Sequence, residues 1–266
     1  MPALHIITLV KWVPDAQLER GFTAQRRIDR TEGILGELDE HPLEAALQIS
    51  ESLSDRQVRV SALTIGPAGA SAALKKALQI GADDGYHLTD DALAGADVSA
   101  TSAAAAAAIQ HVRSLAGLDA EYLVLTGMAS EDGETGAVPA QLAQRLGVPA
   151  LTQATALGID GARLSVTRTA GTRQQKLACA LPAVVSVTDQ ANEPRYPNFR
   201  AIMKARKKPV TTFSLAETGL DAAAVQPKVQ LLSAAPRPAR EPGEIIHDDG
   251  TAGRQLVDFL QKERLL

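Results

Sequence analysis

The feature that most constrains this chain is an alternation. Short, nearly continuous apolar runs rich in β-branched residues are each followed by a stretch with helical spacing, and glycine or proline marks the switch. Leu4–Val10 is the first such run and Gln57–Ile65 the second. Continuous apolarity is the mark of a strand covered on both faces. Between the two, residues 39–53 space Leu43, Ala46, Leu47 and Leu53 at helical intervals, with Asp39 and Glu40 where a helix dipole favours negative charge. Gly66-Pro67-Ala68-Gly69 turns the second run into a helix through Leu74, Ala77 and Leu78 that stops at Gly81. The order then repeats: a strand at Tyr86–Leu88, an Ala-rich helix from about Asp97 to Leu115, a strand at Tyr122–Thr126, and a helix predicted from Thr135 to Leu146. Repeats of this kind imply an α/β fold, a three-layer, doubly wound and mainly parallel sheet with helices on both faces. Ligands of such sheets sit beyond the carboxyl ends of the strands.

From about residue 150 the pattern changes. Ala162–Thr169 and Gln174–Ala180 read as extended segments near an Asp160-Gly161 turn, and Ala183–Thr188 as another apolar strand. Residues 189–209 form a polar, proline-punctuated loop with a short helical core. Pro227 to Gly243, with Pro236, Pro238 and Pro242, reads as an extended linker. The tail 252–266 regains helical spacing through Leu256, Val257, Leu260 and Leu265. We therefore expect an α/β domain over 1–226 and a C-terminal extension over 227–266 whose apolar stripe docks on something else.

Composition removes several function classes. Lys and Arg number 27 against 31 Asp and Glu, a net charge of -4 that disfavours binding to nucleic acid. Only 3% of the residues are aromatic, so base-stacking platforms are not expected either. Cys179 is the single cysteine, which excludes internal disulfides, C-x-x-C redox pairs, thiolate zinc sites and Fe–S clusters. It reads as inert packing in a reducing, cytoplasmic setting. His5, His41, His87, His111 and His247 show no metal-binding spacing, and Asp248 and Asp249 beside His247 read as solvated linker, so no metal site is expected. No apolar run approaches a membrane span, and no signal peptide is read at the start; the expectation is a soluble chain.

Chemistry concentrates in Gly127-Met128-Ala129-Ser130-Glu131-Asp132-Gly133-Glu134-Thr135-Gly136-Ala137-Val138-Pro139. This stretch follows a buried strand and opens a helix, so free N–H groups and the helix dipole converge on one spot suited to a phosphate. Thr135 is positioned to cap the helix or donate its hydroxyl. No Lys follows the glycines, so the loop is not a Walker A motif. A capped turn without a ligand fits these residues as well as a nucleotide site does. Gly66 opens a second turn of the same type, and two such turns at neighbouring strand ends favour a nucleotide between them. Farther on, Arg200, Lys204, Arg206, Lys207 and Lys208 form a basic patch beside Asn192-Glu193-Pro194-Arg195-Tyr196-Pro197-Asn198-Phe199. An apolar anchor ringed by charge is the anatomy of a protein-docking site.

These residues resemble the β subunit of electron transfer flavoprotein. The resemblance is carried by Leu181-Pro182-Ala183-Val184-Val185-Ser186-Val187-Thr188, by Asn192-Glu193-Pro194-Arg195-Tyr196 and by Ala201-Ile202-Met203-Lys204-Ala205-Arg206-Lys207-Lys208-Pro209, with Val10-Lys11, Asp39-Glu40, Gly81-Ala82-Asp83 and the 127–139 loop in support. It implies an adenine nucleotide alpha hydrolase-like fold and a non-enzymatic electron carrier. The carrier would be a heterodimer with an α subunit that holds most of the FAD. Electrons would enter from flavin dehydrogenases, such as acyl-CoA dehydrogenases, and leave toward a membrane quinone reductase. It further implies AMP in this subunit, at Leu9, Gly36, Glu37, Leu38, Asp39, Ile65, Gly66, Gly127, Met128, Ala129, Ser130, Asp132, Gly133, Glu134, Thr135, Gly136, Ala137 and Val138. The partner-docking positions implied are Asn192, Glu193, Pro194, Arg195, Tyr196, Phe199, Ile202, Met203, Lys204 and Lys207, with Phe199 the inserted anchor. Gly36-Glu37-Leu38 replaces the family's Asn-Pro-Phe, and Asp132-Gly133-Glu134-Thr135 is closer to bifurcating members, which carry a second FAD there. The rival reading is an ATP- or AMP-binding enzyme or stress-type nucleotide sensor on the same fold. Such a hydrolase would need a cation in the loop for the γ-phosphate, and the loop has none.

Overall fold

The computed structural model describes residues 2–117, 120–240, 243 and 245–266; Pro242 of the predicted linker lies outside them. In chain order the elements are β1 (Ala3–Leu9), β2 (Trp12–Pro14), β3 (Gly33–Leu35), α1 (Glu37–Ser52), β4 (Val58–Ile65), α2 (Ser71–Ile80), β5 (Asp84–Leu88), α3 (Val98–Ala116) and β6 (Ala120–Gly127). There follow α4 (Val138–Leu146), β7 (Ala150–Asp160), β8 (Arg163–Ala170), β9 (Arg173–Ala180), β10 (Ala183–Val187), α5 (Phe199–Ala205), β11 (Val210–Phe213) and α6 (Ala252–Lys262). Two units emerge, Met1–Ala234 and Ala235–Leu266. The second contains α6, whose Leu256, Val257 and Phe259 are exposed.

Nine strands form one sheet in the order β11-β5-β4-β1-β6-β10-β7-β8-β9. From β11 to β7 every neighbouring pair is parallel, and β7-β8-β9 closes the sheet as an antiparallel ribbon. The fold is thus mixed α/β with a mostly parallel central sheet flanked by helices. The continuous apolar runs explain themselves in the packing. Ile6 sits in the cluster with Leu43 and Leu47 of α1 and Leu74 and Leu78 of α2, while Ile7 sits in the other cluster with Ala104, Ala108 and Ile109 of α3 and Leu142 of α4. Successive side chains of a strand point to opposite faces, and here both faces are covered.

Helix starts follow local chemistry. Asp97 caps α3 by accepting the Ala100 N–H at 2.8 Å, and Gly117 closes it in the left-handed region. The helix predicted from Thr135 begins instead at Val138, so Thr135 is not its cap. Glu134 and Gly136 have φ of 48° and 58°, which a right-handed helix cannot include, and Pro139 suits the first turn. The segment 189–209 carries α5 as its helical core. Strands β2, β3, β7 and β11 have no counterpart among the sequence expectations.

Candidate functional site

Chain order places β4 on one side of β1 and β6 on the other, so the winding reverses between β1 and β6. A crevice opens at the carboxyl ends of strands where winding reverses. Here a cavity of about 150 Å³ lies at those ends. Its wall is apolar, from Leu9, Val10, Leu63 and Ile65 on the strands, Ala105 on α3, and Val138 and Pro139 at the start of α4. Its polar groups come from Lys11, Asp39, Thr101, Thr126, Ser130 and Thr135, with the backbone of Gly127 and Gly136.

Of the nucleotide positions expected from sequence, Leu9, Asp39, Ile65, Gly127, Ala129, Ser130, Thr135, Gly136 and Val138 meet at this cavity. Gly36, Glu37, Leu38, Gly66, Met128, Asp132, Gly133, Glu134 and Ala137 do not line it. Several of them shape its edge. Gly36 is the N-cap residue of α1, Leu38 offers its N–H to Glu131 Oε1 at 3.1 Å, and the Gly66 N–H bonds the Leu88 carbonyl at 3.1 Å. Gly127 is required by close approach: a Cβ there would stand 2.6 Å from Asp39 Oδ1 and 2.8 Å from the Leu38 carbonyl. Pro42, four residues along α1, has no N–H to cover that carbonyl.

Asp39 is buried and accepts the Lys11 amide at 2.8 Å. Its burial, with the nearby Glu131 charge, pushes its carboxyl up to about 7 against the pull of the Lys11 and Gly127 amides. Asp132 has the opposite fate. Its side chain, 1% exposed, bonds Lys11 Nζ at 2.7 Å and Arg30 Nη2 at 2.5 Å. Burial alone would raise its carboxyl, and the two cations hold it down at about 2. Lys11 Nζ also donates to Ser130 Oγ at 3.1 Å. A cation therefore does reach the loop, from the end of β1 rather than from within the loop itself.

Several contributors to the site escape sequence reasoning. Arg30 and Arg20 arrive on the excursion between β2 and β3, Arg20 donating to the Glu131 carbonyl at 3.2 Å, and nothing local marks them. Glu131 stands within the 127–139 stretch but is given no role of its own there; what it does, accepting the Leu38 N–H in the first turn of α1, depends on the fold. Thr101 and Ala105 could be found only by knowing that α3 packs beside β1.

A family model described as the electron transfer flavoprotein domain matches residues 27–218. Electron transfer flavoprotein subunit beta of Mycobacterium tuberculosis is 38% identical over 270 residues, covering 98% of this chain and 99% of the relative. The chain belongs to the electron transfer flavoprotein β-subunit family. Other relatives are electron transfer flavoprotein subunit beta of Megasphaera elsdenii, 30% identical over 84% of this chain and 82% of the relative. Caffeyl-CoA reductase-Etf complex subunit CarD of Acetobacterium woodii is 33% identical over 97% and 96%.

The segment after β10 divides into groups turned inward and groups turned outward. Asn192 and His41 bond reciprocally, Asn192 Nδ2 donating to the His41 carbonyl at 3.0 Å while His41 Nδ1 lies 3.1 Å from the Asn192 carbonyl. Arg195 turns to Glu44 and Glu51 on α1. Outward stand Tyr196, 92% exposed, Phe199, 76% exposed, and Met203, with Glu193, Lys204 and Lys207 exposed around them and Pro194 and Ile202 half-buried. Asn198 caps α5 through the Ala201 N–H at 2.9 Å, which fixes Phe199 as its first residue. Lys208 leaves the basic patch expected from sequence: its Nζ caps the end of α2 through the carbonyls of Leu78, Gly81 and Ala82 at 2.6–3.1 Å. Cys179 is half-buried, and burial raises its thiol pKa.

Proposed function

We propose that this chain is the β subunit of a heterodimeric electron carrier. Its α partner holds the redox-active FAD, its own cavity takes AMP, and the segment 192–207 docks flavin dehydrogenases, acyl-CoA dehydrogenases among them. Electrons then pass to a membrane quinone reductase. The observation that carries the reading is the cavity at the β1/β6 reversal. The apolar wall that includes Leu9, Ile65 and Ala105 suits an adenine, and the left-handed turn at Gly136 just before α4 offers backbone N–H groups suited to one phosphate. At the rim Lys11, paired with Asp132, brings an ammonium group, and Ser130 a hydroxyl. FAD, when bound in the heterodimer, supplies the electron chemistry; this chain orients and excludes water. The apolar stripe of α6 is assigned to the α subunit.

The name of the Acetobacterium woodii relative ties that protein to a reductase–Etf complex. For this chain, a second FAD would need room for a diphosphate path past residues 131–135. Lys11 and Arg30, the cations beside that stretch, are both engaged by Asp132, which supports the single phosphate of AMP over a diphosphate. Co-purification with the α subunit, denaturation and quantification of released nucleotides test the proposal. One FAD and one AMP per heterodimer are expected. Two FAD and no AMP would replace the AMP assignment, and a chain that recruits no flavin-bearing partner would overturn the carrier reading.

A further inference from the structure

The docking segment is held by helices of the main domain at both ends. Arg195 provides the strongest hold. Its Nε donates to Glu44 Oε2 at 2.7 Å and its Nη2 to Glu44 Oε1 at 3.0 Å, while Nη1 and Nη2 reach the two oxygens of Glu51 at 2.6 and 3.1 Å. The Arg195 backbone N–H adds a bond to Glu44 Oε2 at 3.2 Å, and Gln48 donates to Glu44 Oε1 at 3.0 Å. Glu44 is buried, so its charge depends on this grip. Burial alone would raise its carboxyl, yet the Arg195 hydrogen bonds bring it below the usual value. Four of the five guanidinium N–H groups are engaged inside the molecule, which leaves a single Nη1 N–H for anything else. At the other end Lys208 is fixed on the carbonyls closing α2. Between these anchors Pro197 and the Asn198 cap relay the position of Arg195 to Phe199 over four residues.

We infer that Arg195 is a positioning residue: its grip on Glu44 and Glu51 sets where Phe199 stands. The inference rests on the docking reading of residues 192–207. A planar fork is needed to hold two carboxylates at once, so lysine is not an equivalent. The test compares heterodimers carrying the parent chain, Arg195→Lys, Phe199→Ala and the double substitution, with affinity measured against an acyl-CoA dehydrogenase of the same organism. Amide hydrogen exchange across residues 196–203 is followed in parallel. Arg195→Lys is expected to weaken docking about tenfold, as for coupled contacting residues, and to speed exchange in that segment. In the Phe199→Ala background it should weaken docking no further. Unchanged exchange, or a full additional loss in the double variant, would overturn the inference. Undiminished docking by Phe199→Ala would instead overturn the docking reading beneath it, and the exchange data keep the two failures apart. Should Arg195→Lys fail to assemble, Glu51→Gln, which releases only the exposed half of the grip, carries the same comparison.

Discussion

Asp39, in the wall of the cavity, and Asp132, behind Lys11 at its edge, are the same side chain in two electrostatic situations. Asp132 lies between two cations; Asp39 receives backbone amides and the field of Glu131. Their effects on stability have opposite signs. For Asp132 the folded value of about 2 lies below the ordinary one, so its contribution is present above roughly pH 4 and is lost as pH falls toward 2. For Asp39 the folded value of about 7 lies above the ordinary one, so the folded chain keeps a proton that the unfolded chain has released. Stability attributable to Asp39 therefore falls as pH rises from roughly 4 to about 7. Between pH 5 and pH 8 the parent should lose ~2 kcal/mol more than Asp39→Asn, read from urea unfolding at the two pH values. Equal slopes for both chains would refute a protonated Asp39. Neither state is legible in the sequence, where Asp39 and Asp132 are only acidic residues near glycines. What separates them is Arg30, 102 positions from Asp132, and Glu131, 92 positions from Asp39 in the printed chain.

At the scale of elements, legibility followed burial on two faces. β1, β4, β6 and β10 are continuous apolar runs because helices cover both sides, and each is placed within a residue or two from sequence alone. β7 is not, since its burial is uneven and a bulge near Gln153, with φ of 63°, interrupts its pairing with β10. β2, β3 and β11 are three or four residues long, too short to show a period. The start of α4 is hidden in the sequence because Glu134 and Gly136, both left-handed, look there like an ordinary helix former and a permissive turn. α3 offers a direct test of packing at this scale. Its inner face is made of Ala100, Ala104, Ala108 and Ile109, all buried, so the helix lies close on the sheet. Ala104→Leu should cost about 1–3 kcal/mol in thermal or urea unfolding. It should also shift the Thr101 and Ala105 wall of the cavity, visible as weaker retention of the AMP proposed for it. A neutral substitution would mean that the helix has slack against the sheet.

On the scale of the whole molecule, the unit Ala235–Leu266 exposes Leu256, Val257 and Phe259 on one short helix. Such a helix has no reason to be apolar in water. Burying Leu256, Val257 and Phe259 against the α subunit would contribute roughly 1.5–3 kcal/mol for each side chain fully covered. Removal of residues 252–266 should therefore weaken heterodimer assembly, measured by sedimentation or titration of the two purified subunits; assembly with undiminished affinity would exclude this role.

The parallel run of strands from β11 to β7 has a further consequence. Every connection leaving a carboxyl end emerges on the same side of the sheet: the cavity takes the ends of β1, β4 and β6, and the segment bearing Phe199 leaves the end of β10, next to β6. The molecule accordingly has an obverse and a reverse. Ser54 and Asp55, exposed in the turn that enters β4, belong to the reverse. A tether attached there would let the chain be held on a surface with both loops still turned to solution.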